Sequence, residues 1–237
     1  YHMPSFLEQL ALPGILVADG ATGTQLQRAG LPAGAAPERW NLEYPDGILR
    51  LHRSYLDAGA DIILTNTFGG SRLRLERDDL GGKTVQINKA AAALARQSAG
   101  QGQYVFGDLG PTGVLLEPYG TLSYADAVRA FAEQAGALAA GGVDAILIET
   151  MSDLNEAKAA LEGARQVTDL PVLVTLSFDT RGRTMMGVRP SAAAKELWAL
   201  GVAAVGANCG RTLSETLAAI QEMRQAVPEA VLMAKPN

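Results

Sequence analysis

A chain of 237 residues, 48% hydrophobic and 19% charged, can bury one substantial core, so it reads as a folded globular domain. A formal net charge of -5 and a pI near 5.1 lack the basic footprint that phosphate backbones and anionic lipids require, which argues against nucleic acid or a membrane surface as partner. No stretch reaches the roughly 18 uncharged apolar residues of a spanning helix, no basic-then-apolar leader opens the chain, and a single cysteine forbids an internal disulfide, as suits the cytoplasm.

Tyr1 and His2, ahead of Met3, read as the remnant of an expression tag, which leaves residues 3–237 as one domain without a Pro-rich or Ser-rich linker. The first apolar run, "ILVADG" from Ile15, closes on Asp19 and Gly20. Asp46 then opens a helix that Gly59 ends, and the second run, "DIILTNT" from Asp61, follows at once. "GGKT" at Gly81 to Thr84 looks like a phosphate loop, but the required first glycine falls at Arg77 and no apolar strand precedes it. It is the start of a helix whose interior is the Ala-rich "AAAALA" from Ala90.

The third run, "YVFGDLG" from Tyr104, ends on Asp108. Val128, Phe131, Ala132, Ala135, Leu138 and Ala139 then recur at helical spacing, with Ser123 placed as the cap. "DAILIET" from Asp144 ends on Glu149 and Thr150, "PVLVTLSF" starts at Pro171, and "AAVGANCG" from Ala203 ends on Asn208 and Cys209. Thr212 and Glu215 have the spacing of a capping box ahead of Leu217, Ile220 and Met223, and "AVLMAKPN" from Ala230 is the last run.

The seven runs are near-continuous rather than alternating, as strands buried on both faces of a parallel sheet require. Their starts lie 27 to 46 residues apart, one strand-helix unit each, so the chain is α/β and suits either a doubly wound sheet or an eight-stranded barrel. Seven strands are one short of a closed barrel, so either the last strand-helix unit is expected outside residues 3–237 or the sheet does not close.

In both architectures the chemistry gathers at the carboxyl ends of the strands. Here those ends carry Asp19, then Thr65, Asn66 and Thr67, then Asp108, then Glu149 and Thr150, then Asn208 and Cys209. Each has a plain structural alternative: Asp19 and Asp108 adjoin glycines and suit turn caps, the "TNT" hydroxyls suit loop hydrogen bonds, and a lone cysteine is commonly an inert small hydrophobe. A carboxylate closing the apolar "AILIE" is partly buried and needs a partner or a task. "DGATGT" lacks the dinucleotide spacing, and its leading acid repels phosphate and favours a cationic group. A Ser-His-Asp set fails because His2 is in the tag and His52 lies inside a helix, and a histidine-held zinc site fails for the same reason, leaving sulfur and oxygen as the metal donors.

Taken in order, "ADGATGTQLQ", "AGADIILTNTFGGS", "GDLGPTG", "DAILIETMSDLNEAKAAL" and "VGANCG" resemble the homocysteine S-methyltransferase family, nearest to its cobalamin-dependent methionine synthase type, from about Ile15 to Asn237. The resemblance implies a (β/α)8 TIM barrel that binds homocysteine and converts it to methionine. It also implies a zinc ion held by three thiolates, the first matching Cys209, the other two belonging to a Gly-Gly-Cys-Cys-Gly segment that these residues do not include. Asp19, Gly20, Ala21 and Glu149 match the positions that hold the amino-acid end of homocysteine, Glu149 and Cys209 carry the catalytic roles, Asn208 orients the ligand or the metal, and Thr67 and Phe68 line the pocket. The implied donor is methylcobalamin, with methyltetrahydrofolate behind it, carried on cobalamin- and folate-binding modules. S-methylmethionine and betaine are the alternative donors, and a shortened, non-catalytic binding module is the alternative role.

Overall fold

The computed structural model describes residues 4–236, so the reading of Tyr1 and His2 as a tag remnant lies outside the described residues, as do Met3 and Asn237. The strands are β1 (Ile62–Leu64), β2 (Tyr104–Leu109), β3 (Ala145–Met151), β4 (Val172–Leu176), β5 (Ala204–Asn208) and β6 (Leu232–Lys235). All pair in parallel, and their spatial order is their chain order. Right-handed crossovers that never reverse direction put every connecting helix on the same side of the sheet, whereas a doubly wound sheet needs a reversal point. Of the two architectures open to the sequence, the barrel wall is the one formed.

The helices are α1 (Phe6–Leu10), α2 (Gly23–Arg28), α3 (Trp40–Glu43), α4 (Pro45–Asp57), α5 (Arg72–Leu75), α6 (Thr84–Ser98), α7 (Tyr124–Ala140), α8 (Leu154–Arg165), α9 (Pro190–Ala199) and α10 (Leu213–Ala226). Alternation along each strand divides the core in two. Ile63, Val105, Ile146, Val174 and Val205 face the helix layer and pack with Phe131, Leu138, Ala160 and Leu197. Ile62, Leu64, Tyr104, Phe106, Leu147 and Leu173 face the other way and gather around Phe6 of α1, whose ring meets Tyr104 and Phe106 edge-on at 5.5 and 4.7 Å between centroids. That second cluster is the barrel interior, and α1 plugs its end. A capping box made by Ser5 and Glu8 fixes the start of the plug.

The first apolar run departs from its expected strand. Its pairing is a single parallel bridge between Ala18 and Ile62, with Asp61 and Ile62 donating backbone N–H groups to the Val17 carbonyl and Asp19 donating to Ile62. The run lies at a sheet edge against β1, itself three residues long, and Ile15 is 90% exposed. A run with one short neighbour has too few partners to propagate a ladder, so the described residues form six strands rather than seven.

The helix starts follow the capping chemistry with one change. Ser123 accepts from the Asp126 N–H and Thr212 from the Glu215 N–H, as expected. The Glu215 carboxylate reaches past Thr212 to the Arg211 N–H, so that box does not close on its own cap residue. Asp46 sits in the first turn of α4 behind Pro45, and the chain leaves that helix through Gly59 at φ 99°. "GGKT" is a short 3-10 turn, Gly81–Lys83, running into α6. His52 lies on the buried face of α4 with Ile48 and Leu51, a packing residue far from catalytic use.

Candidate substrate site

The carboxyl ends of the strands surround a cavity of about 1080 Å³, roomy enough for a small amino acid and part of a second reactant. Asp19, Gly20, Ala21, Phe68, Glu149, Asn208 and Cys209 all line it. Thr67 does not. It is fully buried, shares a 2.6 Å hydroxyl contact with Thr65 and donates to the Asp108 carbonyl at 2.8 Å, so it ties β1 to β2 beneath the cavity. Gln134 of α7 reinforces that tie by donating to the Thr67 carbonyl at 2.8 Å.

The floor is acidic. Asp19, Asp108 and Glu149 are 5%, 5% and 7% exposed, and Lys235 at the end of β6 enters among them. Its Nζ lies 3.7 Å from Asp19 Oδ1 and 3.5 Å from Glu149 Oε2. Asp19 Oδ2 accepts the Leu64 N–H at 2.8 Å, which anchors the carboxylate to β1, while Asp19 Oδ1, Asp108 Oδ1 and Glu149 Oε2 are buried without a hydrogen-bond donor. Burial raises the Asp19 carboxyl to about 6 from its ordinary 3.8; Lys235 and the Leu64 N–H oppose the rise and Glu149 adds to it. Burial, then the neighbouring Glu149, pushes Asp108 well above the usual carboxylate range. Lys235 is held above the ordinary lysine value, because the three carboxylates outweigh the effect of its burial. Asp19 and Glu149 against one ammonium, with Asp108 beside them, leave the floor open to a further cation. Among the described residues, no hydrogen bond uses the backbone N–H of Gly20 or Ala21, so the adjoining loop offers two donors suited to an anion.

One wall is a polar knot around Cys209. Asn208 Oδ1 accepts the Thr150 N–H at 2.9 Å and the Thr175 hydroxyl at 2.8 Å, and its Nδ2 donates to Thr150 Oγ1 at 2.6 Å. The same Nδ2 and the Thr150 hydroxyl approach Cys209 Sγ at 3.4 and 3.7 Å. Thr150 and Cys209 both have left-handed backbones, at φ 62° and 52°, a conformation that is costly for a β-branched residue. Their mutual contacts hold them there and turn the sulfur toward the cavity. Burial foremost raises the Cys209 thiol above its ordinary value, and Thr150 partly offsets this.

Sequence reasoning placed Asp108 and Thr150 at the strand ends without giving either a role, and it did not single out Lys235. Lys235 closes the last apolar run, so the positional signal that picked out the other two was available for it as well.

A profile of the family described as homocysteine S-methyltransferase matches residues 16–237. The chain belongs to the homocysteine S-methyltransferase family. Among homocysteine S-methyltransferase relatives, the methionine synthase of Mycobacterium tuberculosis is 35% identical over 212 residues, 82% of this chain and 18% of that protein. The methionine synthase of Mycobacterium leprae is 35% identical over 220 residues, again covering 18% of the relative. The chain thus spans about a fifth of the length of these curated relatives. The metallated form of the Escherichia coli homocysteine methyltransferase MmuM superposes with a TM-score of 0.85 at 21% identity, covering 97% of this chain and 85% of that one. That likeness establishes the barrel-type fold.

The family implies zinc, and the described residues do not by themselves make a zinc site. No group of three or more His, Cys, Asp or Glu side chains among them could hold a metal ion, and Cys209 offers a single sulfur where zinc takes at least three protein ligands. No helix among the described residues is long and apolar enough to cross a membrane.

Proposed function

We propose that this chain binds homocysteine and presents its sulfur for methylation to methionine. The acidic floor beside Cys209 carries the reading: Asp19, Asp108 and Glu149 suit an α-ammonium, and the free N–H groups of Gly20 and Ala21 suit an α-carboxylate. A ligand anchored by those two groups directs its thiol along the cavity toward the wall formed by Cys209, Asn208 and Thr150. The homocysteine sulfur then attacks the donor methyl carbon, and the new carbon–sulfur bond forms as the bond to the donor breaks. Phe68 lines the same cavity. Asn208 acts through its hydrogen bonds, holding Thr150 and Cys209 in their left-handed conformations.

Cys209 is our candidate for one sulfur ligand of the family's zinc, whose chemistry is to keep a thiol deprotonated at neutral pH. The described residues supply no complete ligand set for it, and no step above depends on the metal. The proposed donor is methylcobalamin, presented by a further module and replenished from methyltetrahydrofolate, in line with the likeness to methionine synthases several times the length of this chain.

Calorimetric titration of the intact protein with homocysteine tests the binding claim, and mass-spectrometric detection of methionine with methylcobalamin, S-methylmethionine or betaine tests the donor. Binding of homocysteine at micromolar to millimolar concentration is expected, as is loss of bound zinc on Cys209→Ala. No homocysteine binding sinks the reading. Turnover with S-methylmethionine or betaine alone overturns the donor and leaves the rest.

A further inference from the structure

We propose that Lys235 is a displaceable counter-ion that reads the α-carboxylate of the substrate: it lies between Asp19 and Glu149 in the free protein and turns to the carboxylate when the α-ammonium takes its place. This deepens the amino-acid site proposed above and rests on it.

Geometry supplies the first reason. Nζ lies 3.7 and 3.5 Å from its two carboxylate oxygens, beyond the roughly 2.7–2.9 Å of a charge-assisted hydrogen bond. Those two oxygens and Asp108 Oδ1 are buried and lack any hydrogen-bond donor. The ammonium is therefore held in the acidic floor by charge and is not locked there by directional bonds. An incoming α-ammonium, free of a tether and carrying three donors, can bond these oxygens more closely than Lys235 does.

Charge counting supplies the second. Asp19, Asp108 and Glu149 face one cation, and an α-amino acid brings one charge of each sign. If Lys235 stayed in place, two ammonium groups would crowd the same oxygens while the ligand carboxylate relied on backbone N–H groups alone. If it turns, the ammonium faces the acids, and the carboxylate gains a full positive charge beside the Gly20 and Ala21 N–H groups. Only the second arrangement gives the ligand carboxylate a cationic partner while keeping an ammonium on the acids.

The tether makes the turn feasible. The Lys235 carbonyl accepts the Cys209 N–H at 3.3 Å and β6 pairs with β5 through Asn208 and Lys235, so the backbone is pinned and the turn falls to the torsions of the four-carbon stem. Lys235 and Gly20 line the same cavity.

The test compares homocysteine with 3-aminopropane-1-thiol, which keeps the thiol and the ammonium and lacks the carboxylate. Calorimetry on the intact protein and its Lys235→Met variant is expected to show homocysteine binding weakened about tenfold to a hundredfold, the usual worth of a hydrogen bond to a charged group. Affinity for 3-aminopropane-1-thiol is expected to hold or tighten, because a competitor for the floor has gone. Equal weakening of both ligands, or unchanged homocysteine affinity, overturns the proposal. Should Lys235→Met not fold, a crystal structure of the unaltered protein with homocysteine decides: Nζ within hydrogen-bond reach of the ligand carboxylate supports it, and Nζ still between Asp19 and Glu149 refutes it. An unaltered protein that binds no homocysteine removes the function proposed above and this role with it. One that binds homocysteine without regard to Lys235 removes this role alone.

Discussion

Replacing Asp19 with Asn separates what this carboxylate costs the fold from what it does for a ligand. The carboxyl is 5% exposed and is raised from 3.8 to about 6, chiefly by burial. At about 1.4 kcal/mol per pH unit, that rise corresponds to a penalty on the order of 3 kcal/mol for keeping Asp19 ionised in the folded protein. The folded carboxyl binds its proton more tightly than the unfolded one. Its contribution is therefore absent below the unfolded value, grows as a loss of stability while pH rises toward about 6, and is complete at pH 7. Asn removes the charge and keeps an oxygen for the Leu64 N–H. For a domain of this size each kcal/mol moves Tm by roughly 2–4 °C, so D19N is expected to melt about 6–12 °C higher at pH 7. The gain should vanish near pH 4. Homocysteine affinity should fall at least tenfold in the variant, and in the unaltered protein it should decline as pH drops through about 6 and Asp19 takes up its proton. Thermal unfolding of both proteins from pH 4 to 8, with calorimetry at neutral pH, reads all of this. A variant less stable than the parent at pH 7, or a Tm difference that persists at pH 4, refutes the reasoning.

Other perturbations follow from the same packing. Burial lowers His52 from 6.5 to about 4, so the native state loses stability as pH falls below 6.5; His52→Leu should gain about 2 kcal/mol on its parent between pH 7.5 and pH 5 in urea unfolding, and a gap that does not change with pH would count against a buried neutral imidazole. A Cβ at Gly206 would lie 1.9 Å from the Met233 carbonyl oxygen, so Gly206→Ala should force β5 and β6 apart and cost about 3 kcal/mol or more in chemical denaturation, whereas a loss below about 1 kcal/mol would mean that the strands yield easily. Gln134→Leu strips the Thr67 carbonyl of a buried donor, for an expected loss of about 1–3 kcal/mol; near-parent stability would show that this tie between α7 and β1 is dispensable.

Much of the fold is written locally. Near-continuous apolar runs specify strands covered on both faces, and Ser123 and Thr212 specify helix starts because a hydroxyl three residues ahead can reach an orphan N–H. The positional rule for strand ends brought Asp19, Glu149, Asn208 and Cys209 to one cavity, and read to the last run it would have brought Lys235 as well. It could not tell Thr67 from Phe68. Which of two neighbours turns toward the cavity depends on how the backbone bends after β1, and Thr67 turned inward to bond Thr65 and Asp108.

The sequence by itself determined the alternation of strands and helices, the acidic character of the strand ends and the single sulfur among them, because pleat, helical period and residue chemistry act over a few positions. Only the tertiary structure decided that the strands run in unbroken order as a barrel wall, that the first run remains a single bridge at an edge, and that Lys235 stands among three acids drawn from distant parts of the chain. Those outcomes depend on which segments become neighbours after the chain closes on itself, and no local spacing carries that information.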